Sequence, residues 1–152
     1  MNEEQFTRLC RDVSFLLGEE DGEALGKFGK ITLHNKAITV FFDEEIDSSE
    51  IVLYIDMISL NNTDRESILS ILMGMNLLNN HHQLGICALD PIRNIAILKK
   101  NIFINDTYTP DQFAMQMLDL VNYVNQICTQ LPELISNLNN SLSSRNKISQ
   151  SV

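Results

Sequence analysis

The chain has 152 residues, 44% of them hydrophobic and 20% charged, which is enough for one domain with a core and too few for two. This balance excludes a disordered or fibrous chain. No apolar run approaches the ~20 residues that cross a bilayer, and the acidic N-terminus lacks the basic start of a signal peptide. We therefore expect a cytoplasmic protein.

The net charge is −9, and it is unevenly distributed. Residues 1–66 contain fifteen acidic and six basic residues, whereas residues 67–152 contain five of each. A surface of this sign repels a phosphate backbone and anionic lipid headgroups. We therefore expect neither a nucleic-acid partner nor insertion into a membrane.

The first predicted element is a helix over residues 2–17, followed by Gly18. Asn2 and Gln5 have the spacing of an N-terminal capping box. Phe15 lies opposite the apolar stripe, so either another surface covers it or a partner docks there. The stripe itself consists of Phe6, Leu9, Cys10, Val13, Leu16 and Leu17.

Residues 18–30 are rich in glycine and acid, which predicts a loop. Alternating and β-branched residues then predict strands at 30–33, 37–42 and 50–56, joined as an antiparallel meander. Neighbouring residues of a strand face opposite sides of its sheet, so the pair Phe41-Phe42 predicts a sheet that is apolar on both sides at this point.

The second helix begins with a T-x-x-E capping box at Thr63 and continues to Leu78. It is apolar on more than one face, and a helix of this kind must be buried on more than one side. One face can pack on the sheet. A second copy of the chain is the simplest cover for the other.

Two more strands are predicted at 84–89 and 95–104, joined by an Asp-Pro turn. A third helix begins at Thr109-Pro110 with a T-x-x-Q capping box, and Pro132 kinks or ends it. We expect residues 139–152 to form a polar, disordered tail after a single domain at 1–138. The order α-β-β-β-α-β-β-α is that of an α+β fold with one antiparallel sheet.

No familiar catalytic motif is present, and we expect no enzyme, metal or cofactor. Cys10, Cys87 and Cys128 are scattered among apolar residues, which indicates reduced core thiols. His81-His82 is a poor metal site, because adjacent side chains point apart.

The pattern resembles the class I type III secretion chaperones, the Tir-chaperone-like family. The resemblance covers residues 3–135 and is carried by a Leu-rich helix ending near an Asn, a Gly-containing strand reaching an Asp, and a hairpin into a second apolar strand. These correspond to residues 68–76, 84–90 and 94–98. The tail after Asn139 departs from the family pattern, as does the absence of a Trp in the last helix.

The resemblance implies a bacterial cytoplasmic virulence chaperone that binds the N-terminal, non-globular segment of secreted effectors. It implies a homodimer through the second helix and the second β section, with the secretion-system ATPase as a further candidate partner. We predict a dimer interface of Leu69, Met73, Leu77, Gly85 and Cys87. The predicted effector site consists of Phe15, Ile31, Leu33, Ile38, Val40 and Phe42.

Two other functions remain open from the residues alone. One is a small dimeric α+β enzyme with a pocket between helix and sheet, which would need polar groups converging on a cavity. The other is a scaffold subunit whose second helix meets a different chain. The sequence does not identify the effectors.

Overall fold

The computed structural model describes residues 1–61, 64–79 and 83–151, and confirms an α+β fold with one five-stranded antiparallel sheet. A short helix in the predicted loop at 18–30 is the one element that the sequence pattern missed. In chain order the elements are α1 (Glu3–Leu16), α2 (Ala24–Phe28), β1 (Lys30–Leu33), β2 (Lys36–Phe41), β3 (Glu50–Ser59), α3 (Arg65–Leu78), β4 (Ile86–Asp90), β5 (Ile95–Phe103) and α4 (Pro110–Gln150).

The strands lie in the order β1-β2-β3-β5-β4, so β1 and β4 form the two edges of the sheet. A two-residue turn joins β1 to β2. His34 and Asn35 have φ angles of 46° and 64°, as a type I′ hairpin requires. The turn fixes the register, which pairs Leu33 with Lys36 and Ile31 with Ile38.

Over the described residues, helices cover one face of the sheet only. Helices α1 and α4 contact each other, α4 contacts β3, and α3 contacts both α4 and β4. Alternate strand residues therefore enter the core, and Phe42 stacks on Phe6 of α1 with ring centroids 4.9 Å apart. The largest fully buried side chains include Phe113, Leu25, Ile38, Ile51, Leu53, Ile55, Leu98 and Met117.

Two of the helices begin as their sequences predict. The Asn2 side chain accepts from Gln5 N–H while the Gln5 side chain accepts from Asn2 N–H, each at 2.9 Å. Thr109 and Gln112 form the same reciprocal box at the start of α4. The predicted box at Thr63 lies outside the described residues.

Helix α4 is longer than predicted. Pro132 does not end it, and the residues predicted as a disordered tail are helical as far as Gln150. No Gly or Pro follows Pro132, and each residue added to an existing helix gains a hydrogen bond without a new nucleation cost. Residues 139–150 are polar, and this composition accompanies a helix that is exposed to solvent rather than a disordered tail.

Gly29 is required where α2 turns into β1. It has φ 62°, and a Cβ at this position would lie 2.7 Å from the Val40 carbonyl oxygen. We expect Gly29→Ala to lower the free energy of unfolding by at least about 1–2 kcal/mol, because alanine resists positive φ and would also meet this oxygen.

Gly74 provides the control, since a Cβ there would meet no atom within 4 Å. Gly74→Ala should raise the free energy of unfolding by about 0.5–1 kcal/mol, the usual gain in a helix interior. Urea denaturation at one protein concentration measures both. Equal midpoints for Gly29→Ala and the unaltered protein would contradict the prediction.

Candidate functional site

Five of the six predicted effector-binding residues lie in the core. Ile31, Leu33, Ile38, Val40 and Phe42 are each at most 8% exposed. The prediction took these side chains to be accessible, whereas they face the helices, because strand alternation shows which residues share a face and does not show which face the helices cover. No partner can reach these side chains while the helices remain packed.

Phe15, the sixth residue, is accessible. Its side chain is 67% exposed on the outer side of α1. The ring also packs on the loop after α1, where a Cβ on Gly22 would lie 3.3 Å from it. Phe28, at the end of α2, is exposed as well, and α2 contacts both α1 and β1.

The second face of the sheet has no helix over it among the described residues. It mixes exposed aromatic residues with polar ones, and Phe41 and Phe103 are the largest exposed side chains. Phe41 and Phe42 thus face opposite sides, as predicted, with Phe42 in the core. Cross-strand pairs on the uncovered face include Thr39 with Tyr54, Phe41 with Val52, Tyr54 with Lys99, and Ala88 with Ile97.

The β4 edge of the sheet is closed around Cys87 by the side chains of Asn76 in α3 and of Asn79, which caps that helix. The Asn76 carboxamide accepts from Cys87 N–H and donates to Cys87 C=O, both at 2.8 Å. It thereby takes the place that a neighbouring strand would occupy. Asn79 donates to Gly85 C=O at 3.0 Å.

Beside this edge, α3 and β4 form an apolar surface that we call the α3–β4 surface. It contains a groove of about 200 Å³ lined by Leu69, Leu72, Met73, Cys87, Ala88 and Leu89. Met73 is 70% exposed and Leu77 is 80% exposed. Three of the five residues predicted for the dimer interface, Leu69, Met73 and Cys87, therefore line one groove, and Leu77 is exposed one turn of α3 beyond Met73.

Gly85, the fifth, is buried and offers no side chain to a partner. Its φ is 90°, and a Cβ there would lie 2.6 Å from the Lys99 carbonyl oxygen. Its role is to let the chain pass close to β5 on entering β4.

The β1 edge differs from the β4 edge. In the register set by the hairpin, Leu33 and Ile31 are hydrogen-bonded to β2, so the backbone groups of Lys30 and Thr32 point away from the sheet. Lys30 and Thr32 also line a groove of about 390 Å³ on the uncovered face. The opposite wall of that groove includes Arg93, which is paired with Asp56 at 2.8 Å and Asp90 at 2.7 Å.

The thiols are not arranged for nucleophilic chemistry. Burial raises the pKa of Cys10 to about 12. Burial and the nearby Cys128 raise the pKa of Cys87 to about 11. A reactive cysteine needs the opposite shift, so these two are packing residues at neutral pH.

Cys128 belongs to a small polar cluster in the covered layer. Its Sγ donates to the Met57 carbonyl at 3.3 Å, and Lys36 Nζ donates to the same carbonyl at 2.7 Å. Lys36 Nζ lies 3.6 Å from Cys128 Sγ. The cluster links the start of β2 and the Met57 carbonyl of β3 to α4.

No described group of three or more His, Cys, Asp and Glu side chains is placed to hold a metal ion. His81 and His82 lie outside the described residues. None of the helices, over their described residues, is long and apolar enough to cross a membrane.

Comparisons with known proteins find similarity in structure rather than in sequence. No protein-family model matches this chain, and no curated protein sequence matches it. A chain of the ExsC–ExsE complex superposes with a TM-score of 0.68 at 14% identity, over 85% of this chain and 95% of that one. A chain of the HopA1–SchA chaperone–effector complex superposes with a TM-score of 0.58 at 15% identity, over 84% and 95%.

The chain shares its fold with chains of these two complexes, one of which is a chaperone–effector complex. The resemblance inferred from the sequence is confirmed at this level. At 14–15% identity the likeness concerns the fold, and it carries no individual residue of those proteins onto this chain.

Sequence reasoning missed the two asparagines that close the β4 edge. A signal was present, because Asn76 lies between the two apolar faces of α3, where an amide needs a partner. The sequence could not show that this partner is the backbone of β4.

We expect Asn76→Ala to lower the free energy of unfolding by about 1–3 kcal/mol, because it leaves Cys87 N–H and C=O without their partner. Hydrogen exchange at the Cys87 amide should accelerate with it. Asn79→Ala is the control, since it removes only the bond to Gly85 C=O. Unchanged exchange at Cys87 in Asn76→Ala would show that the carboxamide does not close this edge.

Proposed function

We propose that this protein is a class I type III secretion chaperone of the bacterial cytoplasm. It binds the N-terminal, non-globular segment of one or more secreted effectors and keeps them soluble and competent for export. The shared fold with a chain of a chaperone–effector complex carries this proposal. The raised pKa values of Cys10 and Cys87 argue against these two thiols as catalytic nucleophiles.

The working form is a homodimer closed by the α3–β4 surface. Exposed Met73 and Leu77 are large apolar side chains that water solvates poorly. Closure of the β4 edge by Asn76 means that the two copies meet through side chains at Cys87 rather than by pairing strands there. Such an interface is isologous, with the same patch on both subunits.

The effector segment adds as an extended strand at the β1 edge. This is the edge whose outward backbone groups, at Lys30 and Thr32, have no strand beside them among the described residues. An added strand obtains affinity from main-chain hydrogen bonds and selectivity from alternate side chains. Exposed Phe15 and Phe28, on the helices before β1, provide apolar contacts.

Co-purification tests the function as a whole. The tagged chain is expressed in its native bacterium, and the bound polypeptide is identified by mass spectrometry. We expect a polypeptide that binds through its N-terminal segment and whose type III secretion is lost when the chaperone gene is deleted. Normal secretion of every bound polypeptide in the deletion strain would contradict the proposal.

We expect Met73→Glu to convert the dimer to monomer, because it places a charge in the apolar α3–β4 surface. Light scattering measures the mass. Met115→Glu is the matched control, since Met115 is 64% exposed against 70% for Met73 and lies on α4. A monomeric unaltered protein, or equal dimer mass in both variants, would contradict the proposed interface.

We expect Thr32→Pro to weaken effector binding strongly while leaving the fold intact. Proline removes an N–H that points away from β2, so the hairpin loses no bond and the added strand does. Thr32→Ala keeps the backbone donor and is the control. Titration calorimetry with the identified effector segment distinguishes them. Equal affinity in both variants would exclude strand addition at β1.

A further inference from the structure

Lys36 and Cys128 lie side by side between the sheet and α4. The Lys36 Nζ atom is 3.6 Å from the Cys128 Sγ atom. Both groups donate to one acceptor, the Met57 carbonyl oxygen, Lys36 at 2.7 Å and Cys128 at 3.3 Å. The two residues are 92 positions apart in the chain, so the fold rather than the local sequence creates this contact.

Lys36 points towards the helices rather than into solvent. It precedes buried Ile38 by two positions on β2, and alternate residues of a strand share a face. Lys36 is half-buried, and it forms no ion pair with any described acidic residue. Its hydrogen-bond partners in the described part of the chain are the Met57 carbonyl and the Cys128 sulfur.

Two neighbouring contacts hold the start of β2 against α4. In the turn before β2, His34 Nδ1 lies 3.3 Å from Asn122 Oδ1, and Asn125 donates to the His34 carbonyl at 3.3 Å. Asn122, Asn125 and Cys128 follow each other at intervals of three residues, which makes them neighbours along α4. The contact between Lys36 and Cys128 is therefore one of three that fix this hairpin on the helix.

Cys128 is the exception among the three thiols. Burial raises the pKa of Cys10 to about 12, and burial together with Cys128 raises the pKa of Cys87 to about 11. Only Cys128 has a lysine nitrogen within hydrogen-bonding distance among the described residues. A neighbouring cation favours the thiolate, which is the form that oxidants attack.

We propose that hydrogen peroxide converts this pair into a covalent cross-link between Lys36 Nζ and Cys128 Sγ. The site is thus a modification site, and its substrate class is a peroxide. The inference goes beyond the proposed chaperone function and depends neither on the dimer nor on the effector.

The cross-link forms in two steps. The Cys128 thiol gives its proton to the solvent, and the thiolate attacks one oxygen of hydrogen peroxide. The O–O bond breaks, and the departing hydroxide takes a proton from the Lys36 ammonium, which leaves a sulfenic acid, a free amine and water. The amine then attacks the sulfur, the S–O bond breaks, and a second water leaves. The sulfur is oxidised by two electrons, and the peroxide is reduced by two.

The lysine nitrogen is better placed than the nearest thiol to react with the sulfenic acid. Cys87 is close enough for Cys128 to raise its pKa, but at a pKa of about 11 it remains a protonated thiol at neutral pH. Lys36 is already in contact with the sulfur. A reactant held in contact has a high effective concentration, so the N–S bond forms in preference to a disulfide.

The link would join β2 to α4 and close a long loop of the chain. Closing such a loop restricts the unfolded state, so the oxidised protein should unfold at a higher urea concentration than the reduced protein. A thiol reductant attacks the sulfur and releases the amine. The modification is therefore reversible.

Peptide mapping of the peroxide-treated, full-length chain tests the link directly. Trypsin cleaves after Lys and Arg, and a linked Lys36 resists cleavage. Peptide 31–65 should appear joined to peptide 101–145, lighter than their sum by two hydrogen atoms, and dithiothreitol should separate them. Cys10 and Cys87 should be oxidised at least about tenfold more slowly, since each unit of raised pKa reduces the thiolate about tenfold.

Two lysine substitutions identify the nitrogen. Lys36→Arg keeps a cation beside Cys128, but a guanidinium does not attack the sulfur. We expect it to abolish the linked peptide and to leave a sulfenic acid on Cys128 that dimedone labels. Lys27→Arg is the matched control, because Lys27 is exposed on α2, and it should form the link as the unaltered chain does.

Three results would overturn the proposal. They are a disulfide between Cys87 and Cys128, a dimedone label on Cys128 of the unaltered chain without the linked peptide, and a reduced Cys128 at a peroxide dose that oxidises free cysteine. The mapping uses the unaltered chain, so it decides the question even if Lys36→Arg fails to fold. Absence of a dimer or of effector binding would contradict the proposed function and leave this inference unaffected.

Discussion

The architecture depends on one asymmetry, which is that helices cover a single face of the five-stranded sheet. Each strand divides its residues between a buried and an uncovered side, as in β3, where Ile51, Leu53 and Ile55 alternate with half-buried Val52 and Tyr54. The covered side provides the core. The uncovered side remains compatible with water because Thr39, Lys99 and Asn101 lie among its aromatic residues.

The two edges of the sheet differ in whether their outward backbone groups have partners. At β4, the Asn76 carboxamide satisfies both outward groups of Cys87 and makes the edge unattractive to a strand. At β1, the outward groups of Lys30 and Thr32 remain available. This difference is the basis for proposing that an extended partner adds at β1 rather than at β4.

Much of the fold could be predicted from the sequence, because its signals are local. The capping boxes at Asn2 and Thr109 and the alternation in β2 and β3 involve residues within a few positions of each other. Helix α2 was missed because its five residues lie in a Gly-rich, acidic segment without apolar periodicity. The end of α4 was missed because Pro132 and a polar composition usually indicate that a helix stops.

The sequence identified the exposed residues of α3 but not the exposed side of β1 and β2, and the reason is physical. A helix with two apolar faces, such as α3, leaves one exposed wherever the sheet lies, so Met73 and Leu77 could be found from periodicity alone. The side of β1 and β2 that faces solvent depends on where distant α1 and α4 pack. Ile31 and Val40 were therefore assigned to the surface although they lie in the core.

The positions of the two proposed surfaces are compatible with both partners binding at once. Edges β1 and β4 are separated by the three inner strands, and at about 4.8 Å per strand spacing they lie roughly 19 Å apart. In the proposed dimer, a second copy seated on the α3–β4 surface consequently leaves β1 uncovered on each protomer. An effector segment that adds to β1, as proposed, then does not compete with dimerisation.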